Sequence, residues 1–318
     1  MHSPVGSTAP GPFEALRKHR LLVVGSLVLF AVVYMLIAQT GSLRAALPSL
    51  QRSSLWLLVL AAGCLVLTWL AAAGMYHALT LRRLQWRKTF IVQIAGSFAS
   101  RALPAGIGSL GVSYLYLRRQ GCSTAIAGAE VALNNVLGFV GHVLLLVVLL
   151  TLMPRTKHLV QLHLSWPIVV GSLLIVLLVV FLVLHKFGRR WLGEISALLK
   201  HYRRAPGRLG VALLLSLLLT ACNIVILWLA ARATGAEGSV SLPVAAVALT
   251  FGVAAQTATP TPGGLGGVEA GIVAALALWQ VPAATALATA FLFRIVTFWL
   301  PLLIGSGALL FAARRRYI

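Results

Sequence analysis

Long apolar runs separated by short polar and basic segments form the pattern of this 318-residue chain. A helix that spans a membrane needs about 20 mostly apolar residues. Six uninterrupted runs are of that kind: Leu21–Ala38, Leu55–Leu79, Val131–Met153, Trp166–Leu184, Leu209–Ala231 and Val281–Ala312. The pattern predicts an all-α polytopic membrane protein with six full transmembrane helices.

Two further segments, Thr89–Leu117 and Pro243–Trp279, are equally apolar but are interrupted near their middles. The interruptions are Pro104–Gly108 (PAGIG) and Pro262–Gly266 (PGGLG), two similar motifs in corresponding places. Broken segments in corresponding positions of two halves indicate the binding site of a transporter. We expect two re-entrant helical hairpins, the alternative being that Pro and Gly merely kink two ordinary membrane helices.

Basic residues favour the hairpin arrangement, because cytoplasmic loops of membrane proteins are enriched in Lys and Arg. With both broken segments re-entrant, most of the 26 Lys and Arg residues fall on one side. The other side holds Arg44, Arg52, Arg155, Lys157 and Arg232. Both chain termini are then cytoplasmic, and the expected location is the inner (plasma) membrane of a bacterial cell.

The same arrangement makes the two hairpins face opposite sides of the membrane. The halves, about 55–152 and 209–312, then form an inverted repeat, a recurrent design for alternating access to one central site. Residues 1–18 are predicted to be a disordered cytoplasmic tail and residues 19–318 a single membrane domain. Within that domain, residues 185–208 are predicted to form a basic interfacial loop.

Composition narrows the function further. Hydrophobic residues make up 60% of the chain and charged residues 10%, so the net charge of +21 is explained by membrane orientation, and nucleic acid is not expected as a partner. His and Cys residues show no metal-ligand spacing, and no metal or cofactor is predicted.

Four charged residues are predicted to lie at membrane depth, where charge is costly and usually functional: Arg101, Glu130, Glu269 and Arg294. Estimated depths allow the pairs Glu130–Arg294 and Arg101–Glu269, the alternative for the second being that one of its two residues holds a substrate headgroup. Helix ends in the hairpins expose N–H groups that suit an anion such as a lipid phosphate, and Gly lets it approach closely. Glu269 is expected to neutralise a cationic headgroup or to order its hairpin.

These considerations define a predicted substrate-binding set: Arg101, Pro104, Gly106, Gly108, Glu130, Pro262, Gly263, Gly264, Gly266, Glu269 and Arg294. A second group of polar residues is interpreted instead as forming hydrogen bonds between helices. Its members are Gln93, Asn134, Asn135, His142, Asn223 and Gln256.

The residues Pro104–Gly108, Gly121–Ser123 and above all Pro260–Ala270 (PTPGGLGGVEA) carry a family resemblance. The chain resembles the lysylphosphatidylglycerol synthase transmembrane-region family, also called flippase-like membrane proteins, and is similar to the lipid-translocating half of bacterial multiple-peptide-resistance factors. The resemblance points to Pro262, Gly263, Gly264, Gly266 and Glu269, with Arg294. Where it leads us to expect an acidic-basic pair in the first half, the chain has Asn134 and Asn135.

We therefore expect a flippase or transporter for a membrane phospholipid or polyprenyl-phosphate lipid with an anionic or aminoacylated headgroup, and not an enzyme. One alternative is an integral-membrane lipid-modifying enzyme, although the chain has no Asp and no evident nucleophile. Another is a non-transporting scaffold for a partner transferase. The oligomeric state is not predicted.

Overall fold

The structure is a computed structural model that describes residues 55–103, 106–152, 196, 200, 202–203, 205–236 and 238–318. The predicted tail 1–18, the predicted spans Leu21–Ala38 and Trp166–Leu184, and most of the basic loop 185–208 lie outside the described residues.

In these ranges the regular structure is helical. The first half contains α1 (Leu55–Leu79), α2 (Trp86–Ala102), α3 (Ile107–Arg119) and α4 (Thr124–Leu152). The second half contains α5 (Pro206–Ala233), α6 (Leu242–Ala258), a 3₁₀ turn (Pro262–Gly264), α7 (Gly267–Ala277), α8 (Ala283–Arg294), a π-helical turn (Ile295–Trp299) and α9 (Leu300–Arg314).

Four long helices, α1, α4, α5 and the continuous α8–α9, are long and apolar enough to cross a membrane. They agree with four of the six predicted spans. Helix α4 begins at Thr124, seven residues before the apolar run starts at Val131. Glu130 therefore lies inside α4, in its second turn, where it is buried.

The two broken segments fold as antiparallel helical hairpins. In the first, Thr89 and Tyr116 share a hydrogen bond of 2.9 Å near the open end, and Gly108 packs on the Ala99 backbone near the tip. In the second, Gly271 packs on the Phe251 carbonyl. The four helices span 17, 13, 17 and 11 residues, fewer than the roughly 20 that a full crossing needs.

Helices α1 and α5 pack against each other in antiparallel orientation. Arg208, in the first turn of α5, donates to the carbonyl of Thr80 just after α1 at 2.9 Å. Farther along, the thiols of Cys64 and Cys222 are in hydrogen-bonding contact. Each helix leads directly into a hairpin, so the two hairpins start from opposite ends of this central pair.

The same kinds of contact occur in both halves. Helix α1 packs on α2 as α5 packs on α6, and α3 packs on α4 as α7 packs on α8. The two hairpin tips meet: a Cβ on Gly263 would lie 3.1 Å from the carbonyl oxygen of Arg101. The fold therefore brings both sequence motifs to one place.

Candidate functional site

The tip of the second hairpin is held by a buried ion pair. Arg294 Nε donates to Glu269 Oε1 at 2.9 Å, and the two side chains are 7% and 9% exposed. The other carboxylate oxygen of Glu269 accepts the N–H of Gly266 at 2.9 Å, and Arg294 Nη2 donates to the carbonyl of Gly263 at 3.0 Å. The pair thus fixes the backbone of the tip to the last span.

Glycine is required in this tip for two reasons. Gly263 and Gly266 have φ values of 58° and 82°, in the left-handed region that side chains with a Cβ rarely adopt. Gly263 also lies against the ring of Phe298, where a Cβ would be 2.4 Å from Cε2. Pro262 opens the 3₁₀ turn, and a Cβ on Gly264 would collide with Gln256. The motif is therefore explained by packing and backbone conformation.

The last span contributes to the same region a backbone carbonyl that lacks its usual helical partner four residues later. Pro301 has no N–H, so it cannot donate to the carbonyl of Thr297 four residues earlier. The π-helical turn Ile295–Trp299 directly precedes Leu300, and π turns are frequent at functional sites. Arg101 fills the gap: its Nε donates to the Thr297 carbonyl at 2.8 Å, and its Nη2 donates to the same oxygen.

Arg101 stands at the tip of the first hairpin, on the last turn of α2. Its Nη1 donates to the Ser97 carbonyl at 2.6 Å and contacts Ser100 Oγ at 3.3 Å. Its hydrogen-bond partners in the described part of the chain are all neutral, and Arg294 is near enough to repel it electrostatically. Among the residues that the structure describes, the first tip thus carries a positive charge with no carboxylate beside it.

Two glycines shape the first tip. Gly106 starts α3 with a φ of 69°, and a Cβ on Gly108 would lie 2.0 Å from the Ala99 carbonyl oxygen. Gly108 therefore allows α3 to cross α2 closely. Pro104 lies outside the described residues.

A cavity of about 930 Å³ opens beside the meeting point of the tips. Both tip arginines, Arg101 and Arg294, line it, and α4, α5 and α6 form most of its wall. The uncharged polar residues of that wall are Ser100, Asn134, Asn135, His142, Ser216, Thr220, Asn223, Thr250, Gln256, Thr257 and Thr297. Apolar residues, among them Phe139, Val143 and Leu146 on α4, complete the wall. A chamber of this size, with polar groups set in a largely apolar wall, is suited to hold an amphipathic molecule.

Glu130 lies outside the cavity wall, in the second turn of α4 and beside the C-terminal end of α1. It accepts from Thr80 Oγ1 at 2.9 Å and from the N–H of Leu81 at 3.2 Å, and Arg208 is close enough to act on its charge. Burial raises the pKa of Tyr202, and the charge of Glu130 raises it further, so this phenol stays protonated as a donor. These contacts provide hydrogen-bond partners for backbone groups at and just after the C-terminal end of α1.

A protein-family comparison agrees with these features. The family model described as "Lysylphosphatidylglycerol synthase TM region" matches residues 22–305. The chain belongs to this family. The matched range includes both hairpins, the ion pair and every residue that lines the cavity. The candidate site of this lysylphosphatidylglycerol synthase transmembrane-region protein therefore lies within the range that the family model covers. No curated protein shows a significant match to the chain.

The resemblance read from the sequence is therefore confirmed, but both ion pairs that the estimated depths allowed are wrong. Arg294 pairs with Glu269 and not with Glu130, and Arg101 bonds to Thr297 and not to Glu269. Depth along the membrane does not reveal which helices are neighbours. The short connection between α7 and α8 places Glu269 and Arg294 in one half, side by side.

One of the two roles expected for Glu269, ordering the tip, is confirmed by its bond to Gly266. The expectation that N–H groups of this tip bind phosphate is wrong at Gly266, whose N–H is already taken by the carboxylate.

The prediction that these amide side chains form hydrogen bonds between helices is wrong for Asn135 and Asn223. Their Nδ2 groups donate to Val131 and Leu219 carbonyls of their own helices. His142 does bond between helices, with Nε2 3.0 Å from Thr250 Oγ1.

Of the six polar residues predicted to form hydrogen bonds between helices, all but Gln93 line the cavity. One signal was present in the sequence: Asn134, Gly138 and His142 recur at four-residue intervals, which places them on one face of an otherwise apolar helix. Among the described residues, no group of three His, Cys, Asp or Glu side chains is placed to hold a metal ion.

Proposed function

We propose that this protein is a lipid flippase, which moves a lipid with a charged headgroup through the cavity between its two halves. We further propose six full spans and two re-entrant hairpins in an inverted repeat, with both termini on the cytoplasmic side of the plasma membrane. The antiparallel packing of α1 and α5, the short hairpin helices and the meeting of the tips support this arrangement.

The single observation that carries the proposal is the unbalanced charge of Arg101 at the cavity. Charged groups at membrane depth cost several kcal/mol and are usually functional. Arg101 and Arg294 together with Glu269 leave one positive charge in excess at the tips. A passing phosphate would compensate it by charge attraction and by accepting the N–H that the four hydrogen bonds of Arg101 leave over.

The cavity wall has a polar part and an apolar part, which match the headgroup and the chains of a lipid. Phe139 and Val143 are 62% and 40% exposed on α4, next to the polar residues of the same helix. A headgroup in the polar part can therefore leave its acyl or prenyl chains against an apolar surface. This division between polar and apolar walls favours a lipid over a water-soluble ion.

We favour transport over catalysis because the wall residues that the structure describes include one hydroxyl beside a base, Thr250 beside His142, and it is not activated as a nucleophile. Thr250 donates its hydroxyl proton to the Ala246 carbonyl at 2.8 Å, so His142 faces the hydroxyl oxygen as a donor. Glu269, the carboxylate closest to the tips, is engaged by Arg294 and Gly266. Release of a water-soluble headgroup fragment by the purified protein would favour an enzyme instead.

Lipid scrambling in proteoliposomes tests the proposal. Purified protein is reconstituted with fluorescent phospholipids, and the fraction accessible to an external quencher is followed with time. We expect wild-type protein to be faster than empty vesicles and Arg101→Gln to slow it at least tenfold. Arg83→Gln, which removes the same charge at an exposed loop position, should retain the wild-type rate. Wild-type rates equal to those of empty vesicles for every phospholipid would refute the proposal.

A further inference from the structure

We infer that the cavity selects an anionic lipid whose phosphate carries a hydroxyl-rich headgroup, such as glycerol, inositol or a sugar, and disfavours an aminoacylated, cationic headgroup. The inference rests on the proposed function, because it names the substrate class of the same cavity. It comes from two properties of the wall: its charge and its free hydrogen-bond acceptors.

The first property is the sign of the charge. The wall contains Arg101 and Arg294, and no carboxylate appears among its described residues. Glu269 lies behind Arg294 and is already bonded to it at 2.9 Å. An ammonium group in this cavity would face Arg101 without a counter-charge, whereas a phosphate would be attracted. The charge therefore favours an anionic lipid.

The second property is an excess of carbonyl oxygens. Asn135 and Asn223 each use one amide N–H within their own helix, which leaves each with one N–H and an oxygen that can accept two hydrogen bonds. Acceptors cannot bind phosphate oxygens, which have no hydrogen to donate. They require a ligand with hydroxyl or ammonium donors, and the charge of the wall disfavours ammonium.

The polar groups also extend far enough to serve several hydroxyls. On α4, Asn135 and His142 are separated by seven residues, or about 10 Å along the helix. On α6, Thr250 and Thr257 have the same separation, and Thr250 bonds to His142. Thr250 and Thr257 donate their hydroxyl protons to the carbonyls of Ala246 and Ala254 at 2.8 and 2.7 Å, so their oxygens remain as acceptors for the hydroxyls of a polyol. A single ethanolamine or choline would use little of this surface.

The position of the charge fits a phosphate followed by a polyol. Gln256 and Thr257 stand at the tip end of α6 near the arginines, and Thr250 lies about 10 Å farther from the tip. A phosphate at Arg101 can thus be accompanied by hydroxyls that reach toward His142 and Thr250. Phosphatidylglycerol, phosphatidylinositol and polyprenyl-phosphate sugars all share this chemistry.

Binding to the detergent-solubilised full chain, measured by native mass spectrometry, tests the selection without requiring transport. The probes are phosphatidylinositol, phosphatidylglycerol, phosphatidylethanolamine, lysylphosphatidylglycerol, undecaprenyl phosphate and a glucosylated undecaprenyl phosphate. We expect the hydroxyl-rich anionic probes to bind at least tenfold more tightly than lysylphosphatidylglycerol. Comparison of the phosphatidylinositol and glucosylated polyprenyl arms then identifies the source of the headgroup. Equal or tighter binding of lysylphosphatidylglycerol would overturn the inference.

Variants separate the two properties. Asn135→Leu and Asn223→Leu should each weaken hydroxyl-rich probes about fivefold and leave bare undecaprenyl phosphate unchanged. Arg101→Gln should weaken both kinds of probe. Gln93→Leu, the same type of change in a residue outside the cavity wall, is the matched control and should change neither.

Equal losses for all probes in the asparagine variants would overturn the role of the hydroxyls. Unchanged elution on size exclusion verifies that each variant is folded, and Asn135→Gln serves as a conservative replacement if Asn135→Leu fails to fold. Absent scrambling together with selective binding would refute the flippase proposal and leave the headgroup selection standing.

Discussion

The two hairpin tips occupy equivalent places in the two halves but differ in how their charge is balanced. In the second tip, Arg294 is paired with Glu269, donates to the Gly263 backbone and lies over the Phe298 ring at 4.2 Å. In the first tip, Arg101 bonds to neutral acceptors, and α3 has no acidic residue in its first turn. One tip is internally satisfied, whereas the other retains charge toward the cavity.

This difference indicates a division of roles between similar motifs. A buried ion pair that also bonds to the backbone, as Arg294 and Glu269 do at Gly263 and Gly266, holds backbone geometry, and loss of one partner leaves an uncompensated charge. An arginine bonded only to neutral oxygens has charge available for a ligand. We therefore regard the second tip as the rigid support and the first as the part that meets the headgroup.

The largest expected effect comes from breaking the second tip. Glu269→Gln leaves the buried guanidinium of Arg294 uncompensated, and we expect a loss of about 3–5 kcal/mol of stability. Arg101→Gln removes an unpaired charge and orphans one carbonyl, at a cost of about 1–2 kcal/mol. Thermal unfolding in detergent, followed by tryptophan fluorescence, gives both values. Equal destabilisation by the two variants would contradict the division of roles.

A glycine pair compares the tips through their packing. Gly263→Ala adds a Cβ 2.4 Å from the Phe298 ring at a φ of 58°, whereas Gly106→Ala adds a Cβ with no atom within 4 Å at a φ of 69°. Both substitutions incur backbone strain of about 1 kcal/mol, and Gly263→Ala adds about 1–3 kcal/mol of overpacking. The same unfolding assay should rank Gly263→Ala as the more damaging. The reverse order would argue that the first tip is the tighter one.

Glu130 provides a test of a carboxylate outside both tips. Glu130→Gln weakens the bonds to Thr80 and Leu81 and should cost about 1–2 kcal/mol of stability. Because Glu130 is not part of the cavity wall and is bonded to Thr80 and Leu81, the scrambling rate measured at a temperature where the variant is folded should stay within twofold of wild type. A tenfold loss of rate in folded protein would restore Glu130 to the substrate-binding set.

The smallest expected effect concerns the carbonyl that links the first tip to the last span. Pro301→Ala supplies an N–H for the Thr297 carbonyl, so Arg101→Gln should be less harmful in that background. We expect a coupling of about 0.5–1 kcal/mol in a double-mutant cycle of unfolding free energies. A coupling of zero would show that Arg101 is not needed to satisfy this carbonyl.

Periodicity and composition were sufficient to predict four described spans, both interruptions and the residues of the second tip. These features depend on local sequence, namely the length of the apolar runs and the Pro and Gly motifs. The partners of Arg101 and Arg294 were not predictable in this way, because depth along the membrane does not specify lateral neighbours. The gap that Pro301 leaves at Thr297 follows from local chemistry, yet which side chain fills it depends on the packing of α2 against α9.

The place of the amide side chains in the cavity wall was not predicted, for a related reason. Asn134 and Asn135 in an apolar helix fit an interhelical bond and a ligand contact equally well by sequence. The decision depends on what faces them, which is a cavity and not another helix. Sequence spacing placed them on one face but did not determine what that face meets.

The most direct test of the account asks whether the two hairpins enter from opposite sides. Single cysteines, Arg83→Cys, Gln120→Cys, Gly238→Cys and Gln280→Cys, are introduced after Cys64, Cys122 and Cys222 are replaced by alanine. Each is labelled with a membrane-impermeant maleimide in intact cells and in inverted vesicles. We predict that positions 83 and 120 react from one compartment and positions 238 and 280 from the other. Reaction of positions 83 and 120 from different compartments would contradict the account.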